Sequence, residues 1–255
     1  MQLQPIELFE RLVFFNFFRY ALIAAIFFFI WYVVFRKKWS FKKIQNDFPK
    51  NSDYKREIGY SLFTVVLFSV VAYIMLTEPV SNYTLRYFEF SDRSTAYWWF
   101  SLFLMIILHD TYFYWTHRLM HHKKLFKLVH LVHHKSTNPS PWAAYAFHPL
   151  EGIIESAVIF PIILLIPHHI TAIIAFMFFM MIYNVYGHLG YEVYPKGFGK
   201  TWFGKWINTS VNHNQHHKHV KGNYGLYFLF WDRWMGTIRE DYDDEIELVD
   251  EKRFS

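Results

Sequence analysis

The chain has 255 residues, room for one large domain or two small ones, with 53% apolar and 22% aromatic residues, a formal net charge of +5 and no cysteine. The missing cysteine excludes disulfides, thiolate metal ligands and thiol nucleophiles, so any metal must be held by nitrogen or oxygen. So large an aromatic share, together with long apolar runs, points to a membrane protein, and the modest positive charge fits loops facing anionic lipid rather than nucleic acid.

Residues 1–10 read as a short amphipathic lead-in, with no basic n-region or small-residue cleavage site of a signal peptide. Residues 12–35 form an apolar run interrupted only by Asn16 and Arg19 and stopped by Arg36-Lys37-Lys38. It exceeds the roughly 20 residues that span a bilayer. A polar, basic loop (36–57) leads to a second expected span, 58–77. A loop without basic excess (78–94) leads to a third, 97–115. Loop charge then places residues 36–57 in the cytoplasm and 78–94 outside, so that the third span returns its histidines to the cytoplasmic side. Residues 152–167 and 171–187 are apolar segments joined at Pro167-His168-His169. The first is short and contains Pro161, so a hairpin dipping in from the cytoplasmic side fits better than two full crossings. His168 and His169 are then turn residues. Residues 192–206, with Pro195, Gly197, Gly199 and Gly204, read as loop, and the acidic stretch from Glu240 reads as a solvated tail. Asn82-Tyr83-Thr84 is a glycosylation sequon of a kind common by chance.

The histidines carry the chemistry. HDTYFYWTHRLMHHKKLFKLVHLVHH, residues 109–134, places His117 and His121 four apart and His130, His133 and His134 in an HxxHH. A second HxxHH recurs as His213, His216 and His217. Residues three or four apart share a helix face, whereas neighbours point about 100° apart. In each HxxHH, therefore, the first histidine joins one of the adjacent pair and the other serves a second ion. Those eight, with His188, make nine imidazoles, too many for one ion of four to six ligands and right for two. His122 and His219 break the spacing and read as bystanders. Neither the Glu-x-x-His pairs of a carboxylate-bridged bundle nor the HExxH of a zinc protease is present. Imidazole suits iron, zinc, copper and nickel alike. An all-nitrogen dinuclear site above apolar spans suits oxygen activation on a lipid. Because a metal-bound histidine donates its other N–H to a carboxylate or carbonyl, Asp110, on the face of His117, and Glu151 and Glu192 are candidates to orient ligand rings, with a structural pairing to an arginine the alternative for each. Asn184, one turn before His188, is a candidate ligand.

HDTYFYWTHRLMHH, HLVHHKSTNPSPWAAYAFHPLEG, and HNQHH followed by NYGLYFLFWDRWMGT together resemble the fatty acid hydroxylase/sterol desaturase superfamily, nearest its C-5 sterol desaturase branch. The resemblance covers residues 97–238; the earlier spans match in kind only. It implies an all-α integral membrane helical bundle with a cytoplasmic-facing helical cap carrying a dinuclear histidine metal site. Residues 1–95 would be membrane spans and loops, 96–240 the catalytic domain and 241–255 an acidic tail. It further implies two non-haem iron ions held by His117, His121, His130, His133, His134, His188, His213, His216 and His217. His109, Asp110, His148 and Glu151 match family positions of less settled role; Asp110 and Glu151 are the catalytic candidates, and His109 is expected beside the ligands rather than among them. The implied partners are O2, a lipid or sterol substrate and a separate electron donor, cytochrome b5 or ferredoxin-like. The implied location is the endoplasmic reticulum in a eukaryote or the cell membrane in a bacterium. Desaturation is favoured, with hydroxylation of a lipid open. Rival readings are a membrane metal-binding or transport protein, which should carry ionisable residues deep in several spans, and a dinuclear zinc hydrolase.

Overall fold

A computed structural model describes residues 4–252, so the first three residues of the expected lead-in, and residues 253–255 of the tail, lie outside the described residues. From residue 5 the lead-in is already helix. Pro5 opens α1 (Pro5–Phe28) in the first turn, where its missing N–H costs nothing, and Glu7 faces the helix N-terminus. α1 runs on as a π-helical stretch, Phe29–Val34. α2 (Asn51–Leu76) begins after the basic loop, and α3 (Thr95–Met120) starts at Ser94, whose hydroxyl accepts from the Tyr97 N–H. Two single turns follow, α4 (Phe126–Val129) and α5 (Leu131–His134). Then come α6 (Pro149–Ala157), α7 (Ile159–Leu165) and α8 (Ile170–Gly187). The C-terminal part holds α9 (Ser210–His219), α10 (Phe230–Trp234) and α11 (Tyr242–Glu251). The only strands among the described residues are β1 (Arg86–Tyr87) and β2 (His168–His169), paired in parallel with Arg86 opposite His168.

Among the described residues, three helices are long and apolar enough to cross a bilayer: Pro5–Val34, Asn51–Leu76 and Ile170–Gly187. Their outer faces show the apolar side chains that lipid would cover, among them Phe14, Phe18, Phe63, Val66, Ile174 and Ile182. The expected span 97–115 lies within α3. It is not one of the three, because the polar residues in the second half of α3, among them His109, Asp110, Thr111 and His117, make it less apolar than they are.

The bundle has two poles. At one, the basic loop lies against the histidine-bearing segments: the Ile44 N–H donates to the Gly190 carbonyl, and Gln45 donates to the Asn214 side chain at 2.9 Å. At the other, the loop 78–94 meets the turn between α7 and α8 through the β1–β2 pair. The α6–α7–α8 hairpin therefore reaches as far as the ends of α2 and α3. A partial dip gives way to legs as deep as their neighbours, and the 18 residues of α8 rise about 27 Å. His168 and His169 sit in this turn as expected, with the His169 ring donating to the Phe88 carbonyl.

The acidic tail is not solvated. α11 is amphipathic and buries Tyr242, Ile246 and Val249 against Ile44, Val211 and Leu229, so it covers the helix that carries the second HxxHH. Residues 192–206 are loop apart from the short 3-10 turns Phe198–Lys200 and Gly204–Trp206.

Candidate metal centre

Four segments deliver histidines to the loop-rich pole. The last turn of α3 supplies His117, and the next residue position on that face is His121 at its C-cap. The α4–α5 turns supply His130, His133 and His134. His188 caps α8. α9 supplies His213, His216 and His217, with the Thr209 hydroxyl accepting from the Asn212 N–H at its start. Residues 210–217 are all buried although none but Val211 is apolar. Hydrophobic burial cannot hold such a helix, so its polar atoms need other partners.

Ser210, Asn214 and Gln215 find those partners in Gly187, Gln45 and Asp241, and the three histidines of α9 meet other histidines. Two groups form: His117, His121, His130, His134 and His216, and separately His133, His188, His213 and His217. Within each, one ligand atom per residue lies within 4.8 Å of all the others. The adjacent pairs divide as their helical geometry requires, with His134 and His216 in the first group and His133 and His217 in the second. His130 joins His134, and His213 joins His217.

The ring nitrogens are sorted by role. The Nε2 atoms face one another: His117 and His130 approach to 3.0 Å, His188 and His213 to 3.0 Å, and His188 and His217 to 3.1 Å. The Nδ1 atoms of five rings turn outward to acceptors. His117 donates to the Tyr224 carbonyl at 3.0 Å, His130 to Glu151 Oε1 at 2.7 Å and His188 to the Asn184 carbonyl at 2.7 Å. His216 donates to the Gly222 carbonyl at 2.7 Å and His217 to that of Ser136 at 2.9 Å. An outward Nδ1–H leaves the inward Nε2 with its lone pair, the tautomer that binds metal. Burial, reinforced by the neighbouring imidazoles, pushes His130, His133, His134, His213, His216 and His217 well below the ordinary histidine range. They are neutral donors, and lone pairs converging at such distances repel unless a cation lies between them. The buried His216 Nε2 has no protein partner. The residues fit two metal ions.

The carboxylates divide differently from expectation. Glu151 accepts from the His130 ring. Asp110 does not touch His117. Its Oδ1 accepts the backbone N–H groups of Tyr227 and Phe228 at 2.7 and 3.2 Å, because α3 turns that face toward the loop after α9. Glu192 is likewise away from His188 and accepts from the Tyr186 hydroxyl and the Tyr194 and Val211 N–H groups. Asn184 gives its carbonyl to His188 while its amide donates to the Ala144 carbonyl. His109 lies outside both groups, 2.8 Å from the Tyr227 hydroxyl, and the His148 ring caps α6 at the Leu150 N–H.

Residues that spacing alone leaves unmarked complete the frame. Asp232 accepts from the Tyr224 and Gly225 N–H groups and the Thr237 hydroxyl, fixing the loop whose carbonyl holds His117. Asn223, at a positive φ of 57°, ties that loop to α9 through the Asn212 carbonyl and Gln215. The NYG…WDR…GT pattern is the trace of this clasp. The Ser136 and Gly222 carbonyls leave no such trace.

Below the clusters, toward the opposite pole, lies a largely apolar cavity. Phe113 and Phe147 form its upper wall, with ring centroids 4.9 Å from His117 and 5.2 Å from His133. His109, Phe176, Met177 and Leu226 also line it.

Apolar helices long enough to cross a bilayer, a buried polar histidine helix and two imidazole clusters that could each hold a metal ion, over an apolar cavity, are the class-defining features of the chain. The chain belongs to the fatty acid hydroxylase family, whose model matches residues 102–237. It is 29% identical over 185 residues to a Delta(7)-sterol 5(6)-desaturase of Gibberella zeae, covering 72% of this chain and 56% of that protein. It is 30% identical over 183 residues to lathosterol oxidase of Homo sapiens, covering 70% and 56%, and 28% identical over 190 residues to that of Rattus norvegicus, covering 72% and 60%. The matches thus span little more than half the length of these relatives. No solved structure matches the chain.

Proposed function

We propose that this protein is a membrane-bound non-haem di-iron oxidoreductase that uses O2 to desaturate or hydroxylate a C–H bond of a sterol or other lipid. The observation that carries the reading is the sorting of nine imidazoles, all but the half-buried His121 buried, into two converging sets directly above an apolar cavity. Family membership and the sterol desaturases among the relatives point the same way.

His117, His121, His130, His134 and His216 would hold one iron, and His133, His188, His213 and His217 the other. Bound iron would supply the activation of O2 and the abstraction of hydrogen that no protein side chain can perform. The chain's own part is positional. Glu151 and the Tyr224, Asn184, Gly222 and Ser136 carbonyls fix the rings by taking their Nδ1 protons in hydrogen bonds. Phe113 and Phe147 separate the rings from the cavity and exclude water beside the reacting carbon. Residues 96–240 act as the catalytic region, but α1 and α2 also wall the cavity. The basic loop and the histidine pole face the cytoplasm, where a separate electron donor, cytochrome b5 or ferredoxin-like, would dock. Desaturation of a sterol-like substrate is favoured over hydroxylation because the relatives named above are sterol desaturases and a lathosterol oxidase.

The test is iron content of purified protein together with lipid profiling of cells making the wild type or His133→Ala. A lipid that loses two hydrogens only with the wild type supports desaturation, and one that gains an oxygen supports hydroxylation. Purified protein without iron, or full activity in His133→Ala, would sink the reading.

A further inference from the structure

Arg19 sits in the middle of the first apolar helix, 1% exposed, and it lies outside the stretch matched by the family model. One guanidinium nitrogen is anchored: Nη2 donates to Asn16 Oδ1 and to the Tyr145 hydroxyl, each at 3.1 Å. The other two, Nε and Nη1, have no hydrogen-bond partner, and no carboxylate pairs with the group. A buried cation left this way inside a membrane helix is costly, and ionisable residues are kept at such depth where they meet a partner or a ligand. Arg19 lines the apolar cavity that leads to Phe113 and Phe147, and so does Glu155, from α6. The cavity therefore holds one cationic donor with spare N–H groups and one carboxyl with acceptor oxygens, set in apolar walls.

We propose that Arg19 binds the polar end of the lipid substrate, donating its free N–H groups to the oxygen of a neutral lipid alcohol whose own O–H donates to Glu155. An alcohol can satisfy both groups at once. An anionic head would satisfy Arg19 but would face the Glu155 carboxyl across the same space. The aromatic wall between Arg19 and the histidines, Tyr145 and Phe147 with ring centroids 6.2 Å apart, then meets the apolar body of the ligand. Fixing the oxygen fixes which carbon lies under the metal pair, so Arg19 sets the position of attack.

The inference rests on the lipid-oxidoreductase reading, and its test reads binding instead of turnover so that the two can fail separately. Tritiated cholestanol and the hydrocarbon cholestane, which lacks the hydroxyl, are titrated against detergent-purified wild type, Arg19→Gln and Arg19→Lys. The wild type should prefer the alcohol by about 10- to 100-fold, the effect of a hydrogen bond to a charged group. Arg19→Gln should erase that preference while leaving cholestane affinity and bound iron unchanged, and Arg19→Lys should restore part of it. Equal wild-type affinity for the two ligands overturns the proposal, as does a preference that survives in Arg19→Gln. Oleate binding more tightly than cholestanol overturns it as well. If Arg19→Gln does not fold, a cholestanol carrying a diazirine beside its hydroxyl is cross-linked to the wild type. Label on the segments bearing Arg19 or Tyr145 supports the site, and label elsewhere overturns it. A protein that binds the alcohol at Arg19 yet oxidises no lipid defeats the oxidoreductase reading and leaves this one standing.

Discussion

At the scale of single residues, adjacency decides the chemistry. His133 and His134 are neighbours, yet they belong to different clusters, because consecutive side chains of a helical turn diverge. Replacing either one should therefore empty one ion position and spare the other. In His133→Ala and in His134→Ala, bound iron measured on purified protein should fall to about one per chain. Loss of both ions from each variant would show the clusters to be interdependent. The two buried carboxylates make a second contrast. Glu151 holds the His130 ring, so Glu151→Ala should weaken iron binding about 10- to 100-fold, read as iron retained against a graded chelator. Asp110 holds backbone N–H groups instead. Asp110→Ala should leave chelator resistance near that of the wild type and cost about 1–3 kcal/mol of stability through unsatisfied donors, read in thermal unfolding. The division of the HxxxH and HxxHH histidines between two groups was legible in the sequence because spacing sets which side chains share a helix face; His188 and Glu151 lie on other segments and reach them only through the fold. The placement of Asp110 was not legible. Periodicity put it on the His117 side of α3, but the acceptor-poor loop at residues 227–228 competes for the same carboxylate, and that loop's path depends on tertiary packing.

At the scale of elements, local pattern tells a segment's character better than its surroundings. The apolar runs of α1, α2 and α8 announce themselves by length and composition. The break in the descending leg of the hairpin, between α6 and α7, agrees with Pro161 and the shortness of the run. α9 and α11 mislead in opposite ways. α9 is polar apart from Val211 and yet is buried, because hydrogen bonds and histidine pairing stand in for most apolar contact. α11 is acidic and yet packs, because Tyr242, Ile246 and Val249 form a narrow stripe that the surrounding charge obscures. Ile246 lies against Gly199 and the core that backs α9, so Ile246→Ala should destabilise the protein by about 2–4 kcal/mol, measured as a lowered unfolding midpoint. A freely solvated tail would show no change. Loss of iron accompanying the shift would locate the damage at α9, the helix that α11 covers.

At the scale of the whole molecule, charge and histidines share a pole. The basic loop packs against the segments that carry the clusters, while the loop 78–94 and the α7–α8 turn close the other end. On the proposed reading, the positive-inside rule would put the histidine pole in the cytoplasm, the compartment that holds soluble reductants. The chain contains no cysteine, so each introduced one is a unique label site. Cysteines at the exposed positions Lys38, Lys123 and Lys218 should react with an impermeant maleimide only after sealed, right-side-out membranes are opened. Cysteines at Asn82 and Glu89, also exposed, should react before opening. Reaction of Lys123→Cys in sealed membranes would invert the orientation. Reaction of Lys123→Cys and Glu89→Cys from one side would mean that α3 does not cross at all. The second outcome would bear on the cavity too. If both poles lay in one compartment, the apolar faces of α1, α2 and α8 could not all be covered by a single bilayer, and the lipid's route to the clusters would have to lead through water.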